Sequence, residues 1–314
     1  MLIKRFIALA TLAAAFSSPA AFAWGNHGYS SNCENSAGSM LRACRYDVRD
    51  DLNETIASCQ HIADRGDRRA CYFSAYSAKA EDSEECGAVY EARVEACEVL
   101  DEDRYDPDPL VDPANSFVDP NDDPVLTNPY ISVEEGHTYV LRAGEIDEDS
   151  GEMIPEELVI VHVTGETREV LDVPCRIVVD VVFEVEEEGG EVEYTVVEAT
   201  DDLFALNTAG DVFYCGEVSR NFEEGVLRDL DGSFEAGIEW AKAGTLMLQI
   251  PDPGRAHRTE FAPGEAEDII QYVTMSGGPM DDQGGEVGGF ECGGGCLQTF
   301  DFAPLDPEST EFKF

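Results

Sequence analysis

The chain has 314 residues, 66 of them acidic and 20 basic, for a formal charge of −46. A surface of that sign repels nucleic acid and anionic membrane, which argues against both as partners. Hydrophobic residues still make up 43%, too many for a disordered acidic tail, so the chain folds.

Residues 1–23 read as a secretory signal. Lys4 and Arg5 form the charged start, Phe6 to Phe16 the apolar stretch, and Ala21-Phe22-Ala23 the small-residue cleavage site. The apolar run is too short to span a bilayer, and no later stretch is long or apolar enough, so no transmembrane anchor is expected. Cleavage near Ala23 leaves a short tail at 24–32 and places the mature chain in a bacterial periplasm or outside the cell. All ten cysteines lie beyond that point, and an even count in an oxidising compartment reads as disulfides before metal ligands.

Residues 33–100 predict a stapled helical hairpin. Cys33, Cys44, Cys59, Cys71, Cys86 and Cys97 are separated by 11, 15, 12, 15 and 11 residues, a series that reads the same in both directions. The intervening segments are rich in Ala, Glu, Arg and Leu and carry no proline, which favours helix. Steps of 11 and 15 turn a helix by only about 20° and 60°, so the three thiols of each arm share a face. Two such faces folded antiparallel predict the nested pairs Cys33–Cys97, Cys44–Cys86 and Cys59–Cys71. The reversal is expected in ADRGDRR, with Gly66 supplying a positive φ. The run RDDLNE at 49–54 is a place where the first helix would kink or break.

Residues 101–130 hold six prolines and nine acids in thirty positions, which excludes regular structure and predicts a stiff linker. Within it, Asp119, Asn121 and Asp123 match the opening positions of a calcium loop. The match fails further on, where Pro124 takes the glycine position and Tyr130 the closing glutamate position.

From 131 to 275 the periodicity changes to two. HTYVLRA, ELVIVHVTG, CRIVVDVVFEVE, EVEYTVVEAT, DLFAL and DVFYCGE are Val-rich strand candidates. Gly189-Gly190 and Asn207 to Gly210 are hairpin turn signals. In the third segment Ile177, Val179, Val181, Phe183 and Val185 fall on one face, which predicts an antiparallel meander buried on one side. Residues 276–314 read as a glycine-rich loop followed by terminal strand. The fold class is α+β: a disulfide-stapled hairpin, then a separate β-meander domain forming a curved sheet or partial barrel.

The run ACEVLDEDRYDPD before the linker resembles the end of a Cys-containing helical domain in secreted proteobacterial proteins. DVPCRIVVDVVFE, LFALNTAGDVFYCGE, GSFEAGIEWAKAG and HRTEFAPGEAED resemble the β-domain of the same group, whose members read near YAQDxxGNVWYFGE and YxPGEAED. The resemblance implies export and these domain boundaries, and it carries over no activity. It also implies a Cys175–Cys296 bond and, with it, Cys215–Cys292, in preference to a local Cys292–Cys296 ring. Members continue into a further strand where this chain stops at Phe314, so the resemblance implies a sheet lacking its closing strand.

No GxSxG elbow, phosphate loop, dinucleotide fingerprint or HExxH is present, and the five histidines are scattered. The residues therefore point to an exported, non-catalytic binding or envelope-interaction protein with no cofactor. Its β-domain would shelter an apolar ligand or accept a partner strand from an envelope protein. A calcium-binding acidic protein is the first alternative, and a hydrolase without a recognisable motif the second.

Overall fold

A computed structural model of the chain describes residues 31–100, 102, 104–121, 127–146, 153–188, 191–277 and 296–313. The signal segment, Asp123, the Gly189-Gly190 turn and the glycine-rich loop with Cys292 lie outside the described residues.

Two long helices come first, α1 (Asn32–Gln60) and α2 (Arg65–Leu100). A capping box starts α1: the Glu34 amide donates to Ser31 Oγ at 3.1 Å, and the Ser31 amide donates to Glu34 Oε2 at 2.9 Å. The helix runs unbroken through 49–54, because no proline or glycine interrupts its backbone ladder there. The bend is made by Asp64 and not by a glycine with positive φ. Asp64 Oδ1 accepts the amides of Gly66 and Asp67 at 2.7 and 2.9 Å, capping α2. Gly66 sits in the first helical turn, where an added Cβ would come within 3.1 Å of that same oxygen.

The seam between the helices is thin. Its buried residues are small, chiefly Ala37, Val48, Cys59, Ala75, Cys86 and Ala96, while Tyr46, Phe73 and Tyr76 face solvent. So little apolar area cannot hold two helices of this length, and covalent staples replace it. The bonds are Cys33–Cys97, Cys44–Cys86 and Cys59–Cys71, with Cα atoms 5.7, 5.9 and 5.7 Å apart. This is the fully nested set.

The β region opens as an antiparallel meander of β1 (Thr138–Ile146), β2 (Met153–Val170), β3 (Val173–Glu188), β4 (Glu191–Leu206) and β5 (Val212–Val218). The β2–β3 turn places Leu171 and Asp172 at φ of 49° and 65°, the two-residue geometry that matches strand twist. Asn207 closes the β4–β5 turn: its Oδ1 accepts the Ala209 and Asp211 amides, and Gly210 takes a φ of 92°.

Short strands β6 (Asn221–Glu223), β7 (Val226–Asp229) and β8 (Phe234–Glu235) hang on β4 and β5. Strands β9 (Lys242–Met247) and β11 (Glu260–Phe261) complete the order β1-β2-β3-β4-β5-β9-β11. A second sheet has the order β10 (Ala256–Arg258), β12 (Ile269–Gly277), β13 (Cys296–Phe302), β14 (Glu311–Lys313). The large sheet is open and does not close into a barrel.

The one-sided burial expected of β3 holds only in part, since its first half is buried on both faces. Val178, on one face, joins Val163, Phe204, Val212 and Tyr214 against Ile270 and Tyr272 of the second sheet. Cys175 and Ile177, on the other, join Val170, Leu203, Phe213 and Cys215. That second face is covered by Leu110 and Phe117 of residues 104–121, while Val118 packs on the first. Residues 104–121 form no helix or named strand, as their prolines dictate, yet they are packed. Leu110 is 5% exposed, Phe117 stacks edge-on to Phe213, and the Val118 amide donates to the Leu206 carbonyl. The expected linker is a strap docked across the sheet.

The cysteines of the β region pair differently from the expectation. Cys175 bonds to Cys215. Both project from β3 and β5 onto the strap-covered face, on either side of β4, whereas Cys296 belongs to β13 of the second sheet, which packs on the opposite face. A Cys175–Cys296 bond would have to pass through the sheet, and Cys215 is no longer available to Cys292. Cys296 is itself disulfide-bonded, to a partner outside the described residues.

Candidate functional site

The hairpin docks on the second sheet through the end of α2, where Ala96 meets Ile269 and Phe302. Just before it, Arg93 forms a two-point ion pair with Glu267, Nε to Oε2 and Nη2 to Oε1, both at 2.7 Å. The pair is almost wholly buried, and Glu267 Oε1 also accepts the Gly264 amide at 2.6 Å. Beside this contact lies a cleft of about 340 Å³. The Cys33–Cys97 bond, Ala37, Met40 and Ala96 form its helical wall; Phe261, Pro263 and Ile269 form its sheet wall.

The floor is polar. Arg258, 8% exposed, projects from β10 and donates from Nε to Glu102 Oε1 at 2.7 Å. Its Nη2 reaches the Cys33 sulfur at 3.4 Å, and its guanidinium lies 5.2 and 5.9 Å from the rings of Phe261 and Tyr105. Tyr105 in turn donates to the Ala243 carbonyl at 2.8 Å. Its phenol is pushed far above its ordinary range, mainly by burial, so it stays a neutral donor. Lys242 ties the Tyr105 carbonyl and the Asp106 carboxylate to β9, and its hydrogen bond holds Asp106 below the usual carboxylate range.

Charge sets this place apart. Among the described residues four basic side chains line the cleft against three acidic ones, where the whole chain has 20 against 66.

A second polar cluster lies between the two sheets. The Tyr214 hydroxyl lies between Asp202 Oδ1, in a short contact, and Glu217 Oε2 at 3.0 Å. One hydroxyl proton cannot serve two carboxylates, so one of these acids must itself carry a proton. Burial pushes Asp202 up to about 8, with the nearby charges of Asp180, Glu198 and Asp201 adding to it. Glu217 likewise rises to about 8 through burial and the Asp202 charge. Neither residue lines the cleft.

The calcium candidates fall elsewhere. Asp119 Oδ1 accepts the Asn121 amide at 2.9 Å, an ordinary turn, and Asn121 Oδ1 accepts from Arg176 Nη1 at 3.2 Å. Arg176 is 2% exposed and also donates to the Pro120 carbonyl, so a buried guanidinium occupies the position facing these oxygens. Among the described residues no three His, Cys, Asp or Glu side chains are grouped to hold a metal.

Of the cleft residues, Glu102, Lys242, Arg258 and Glu267 fall in the segments that carry the resemblance, ACEVLDEDRYDPD, GSFEAGIEWAKAG and HRTEFAPGEAED, while Arg93 falls in none, and no ligand motif marks any of them. The other signal was scarcity, since each basic residue in so acidic a chain needs a reason. The chain was compared with family models, with curated proteins and with solved structures, and it matches none of them.

Proposed function

We propose that the chain is an exported, non-catalytic binding protein whose ligand site is the cleft between the stapled hairpin and the sheet. The cleft carries this reading. It is a concave, partly apolar space with a few convergent polar groups, at a junction of two structural units, where ligand sites concentrate. The faces of the large sheet near β3 are filled by their own side chains and the strap, so a ligand sheltered within the β-domain has less support. Export is supported by four disulfides among the described residues and a further bonded cysteine at Cys296. Titrating isotope-labelled protein with a neutral apolar probe, 1-octanol, should shift the amide resonances of Ala37, Met40 and Ile269 in a saturable way. Shifts confined to other parts of the molecule, or none at all, reject the cleft as the site.

A partner strand remains the second reading, because among the described residues β1 is an edge of the large sheet. Val140 and Leu141 are 57% and 53% exposed there, and no acid occurs from residue 136 to 144. Val140→Lys should abolish capture of a strand-adding partner and leave octanol binding unchanged.

A further inference from the structure

We infer that the cleft takes a small monoanionic amphiphile, a molecule with one carboxylate-like head and a compact apolar body, read by Arg258. This rests on the cleft being the ligand site and adds the ligand's chemistry. A volume of about 340 Å³ lies at the lower end of the roughly 300–1,000 Å³ range of small-molecule sites, so the ligand is compact. The walls are the Cys33–Cys97 sulfurs, alanine, methionine and proline, which suits the apolar body.

The head group is specified by what surrounds Arg258. Its Nε is used by Glu102, but among the described residues Nη2 is held only by a disulfide sulfur, a weak acceptor. The guanidinium is nearly buried and braced by two rings, so its orientation is fixed before a ligand arrives. A carboxylate entering along the Cys33 side replaces sulfur with oxygen and makes the stronger, charge-assisted contact. A cationic head would instead meet a floor where, among the described residues, basic groups outnumber acidic ones. The large negative charge of the rest of the molecule opposes the approach of any anion, and salt screens that repulsion over about 8–10 Å. Affinity for the anion should therefore rise as salt is added, the reverse of ordinary ion-pair binding.

Calorimetric titration of the full chain with octanoate, 1-octanol and octylammonium tests this. Octanoate should bind one per chain, at least about tenfold tighter than octanol, with octylammonium weakest. Ser36→Trp, at an exposed helical position on the cleft wall, should abolish all binding without loss of fold. Glu102→Gln supplies the readout that a purely structural role would not move. Neutralising the competing carboxylate removes the ion pair of Arg258, so the variant melts lower, but octanoate should bind it about tenfold tighter than wild type and restore the melting temperature. Octanol should do neither. Equal binding of octanoate and octanol, both lost in Ser36→Trp, overturns the anion assignment and keeps the cleft. Preference for octylammonium, or weaker octanoate binding in Glu102→Gln, also overturns the assignment. Failure of all three probes, or binding indifferent to Ser36→Trp, overturns the cleft itself.

Discussion

Arg93 and Glu267 join α2 to the segment after β11 by two charge-assisted hydrogen bonds in a buried setting. Removing one partner leaves the other charge buried without compensation, which costs about 3–5 kcal/mol. Glu267→Ala should therefore lower the free energy of unfolding by that amount in urea titration, whereas replacing both residues with leucine should cost much less. The Asp202–Tyr214–Glu217 group makes a second statement at this scale. Both acids have folded values near 8, above their ordinary values near 4, because burial disfavours the charge. Below pH 4 these two groups hold the same protons in the folded and unfolded chains. Between pH 4 and 8 the unfolded chain releases protons from them that the folded one keeps, so their contribution to stability falls as pH rises, by up to about 1.4 kcal/mol per unit for each proton. Unfolding measured at pH 5 and pH 8 should show this fall, and Asp202→Asn should flatten it. An unchanged slope in that variant would show that Asp202 does not hold the proton, because Glu217, Glu260 and Asp268 are also raised by burial.

Among the elements, the helical hairpin was the most legible in sequence and the strap the least. Cysteine spacing encodes both a helical period and a pairing order, and neither depends on the rest of the chain. The order of β1 to β5 was also readable, because valine-rich runs with short turns between them form a meander, whereas the second sheet was not. The strap was not, since it has no period: its burial rests on Leu110 and Phe117, single residues set among prolines and acids. The Cys175–Cys215 bond was hidden for a related reason. Which face a cysteine occupies depends on bulges, such as those near Val182 and Leu203, that shift the alternation. The cleft stayed hidden because it draws on α1, α2, the strap, β9 and β10, which only the folded chain brings together. Packing of the strap makes Leu110→Ala a core truncation, expected to cost about 2–5 kcal/mol in chemical unfolding. Limited proteolysis of the intact chain should spare residues 104–121, and early cleavage there would show the strap to be undocked in solution.

For the molecule as a whole, residues 31–314 form one compact unit, with the hairpin and sheet tied by a buried ion pair, the strap and the apolar contact of Ala96 with Ile269 and Phe302. Thermal unfolding followed separately in helix and strand signals should thus give coincident transitions. Two well-separated transitions would mean that the hairpin and sheet unfold independently. The nested staples have a further, mechanical consequence. A pull applied at the two ends of the hairpin loads the outermost rung, Cys33–Cys97, and leaves every residue inside it without tension. The oxidised hairpin is a rigid bead on the chain, entering and leaving through Cα atoms only 5.7 Å apart. Reduction under load opens the rungs from the outside inward and frees a segment spanning 64 residues, a hidden length of roughly 220 Å when extended. Single-molecule stretching with and without reductant would read that length directly, and its absence under oxidising conditions marks the hairpin as an inextensible arm.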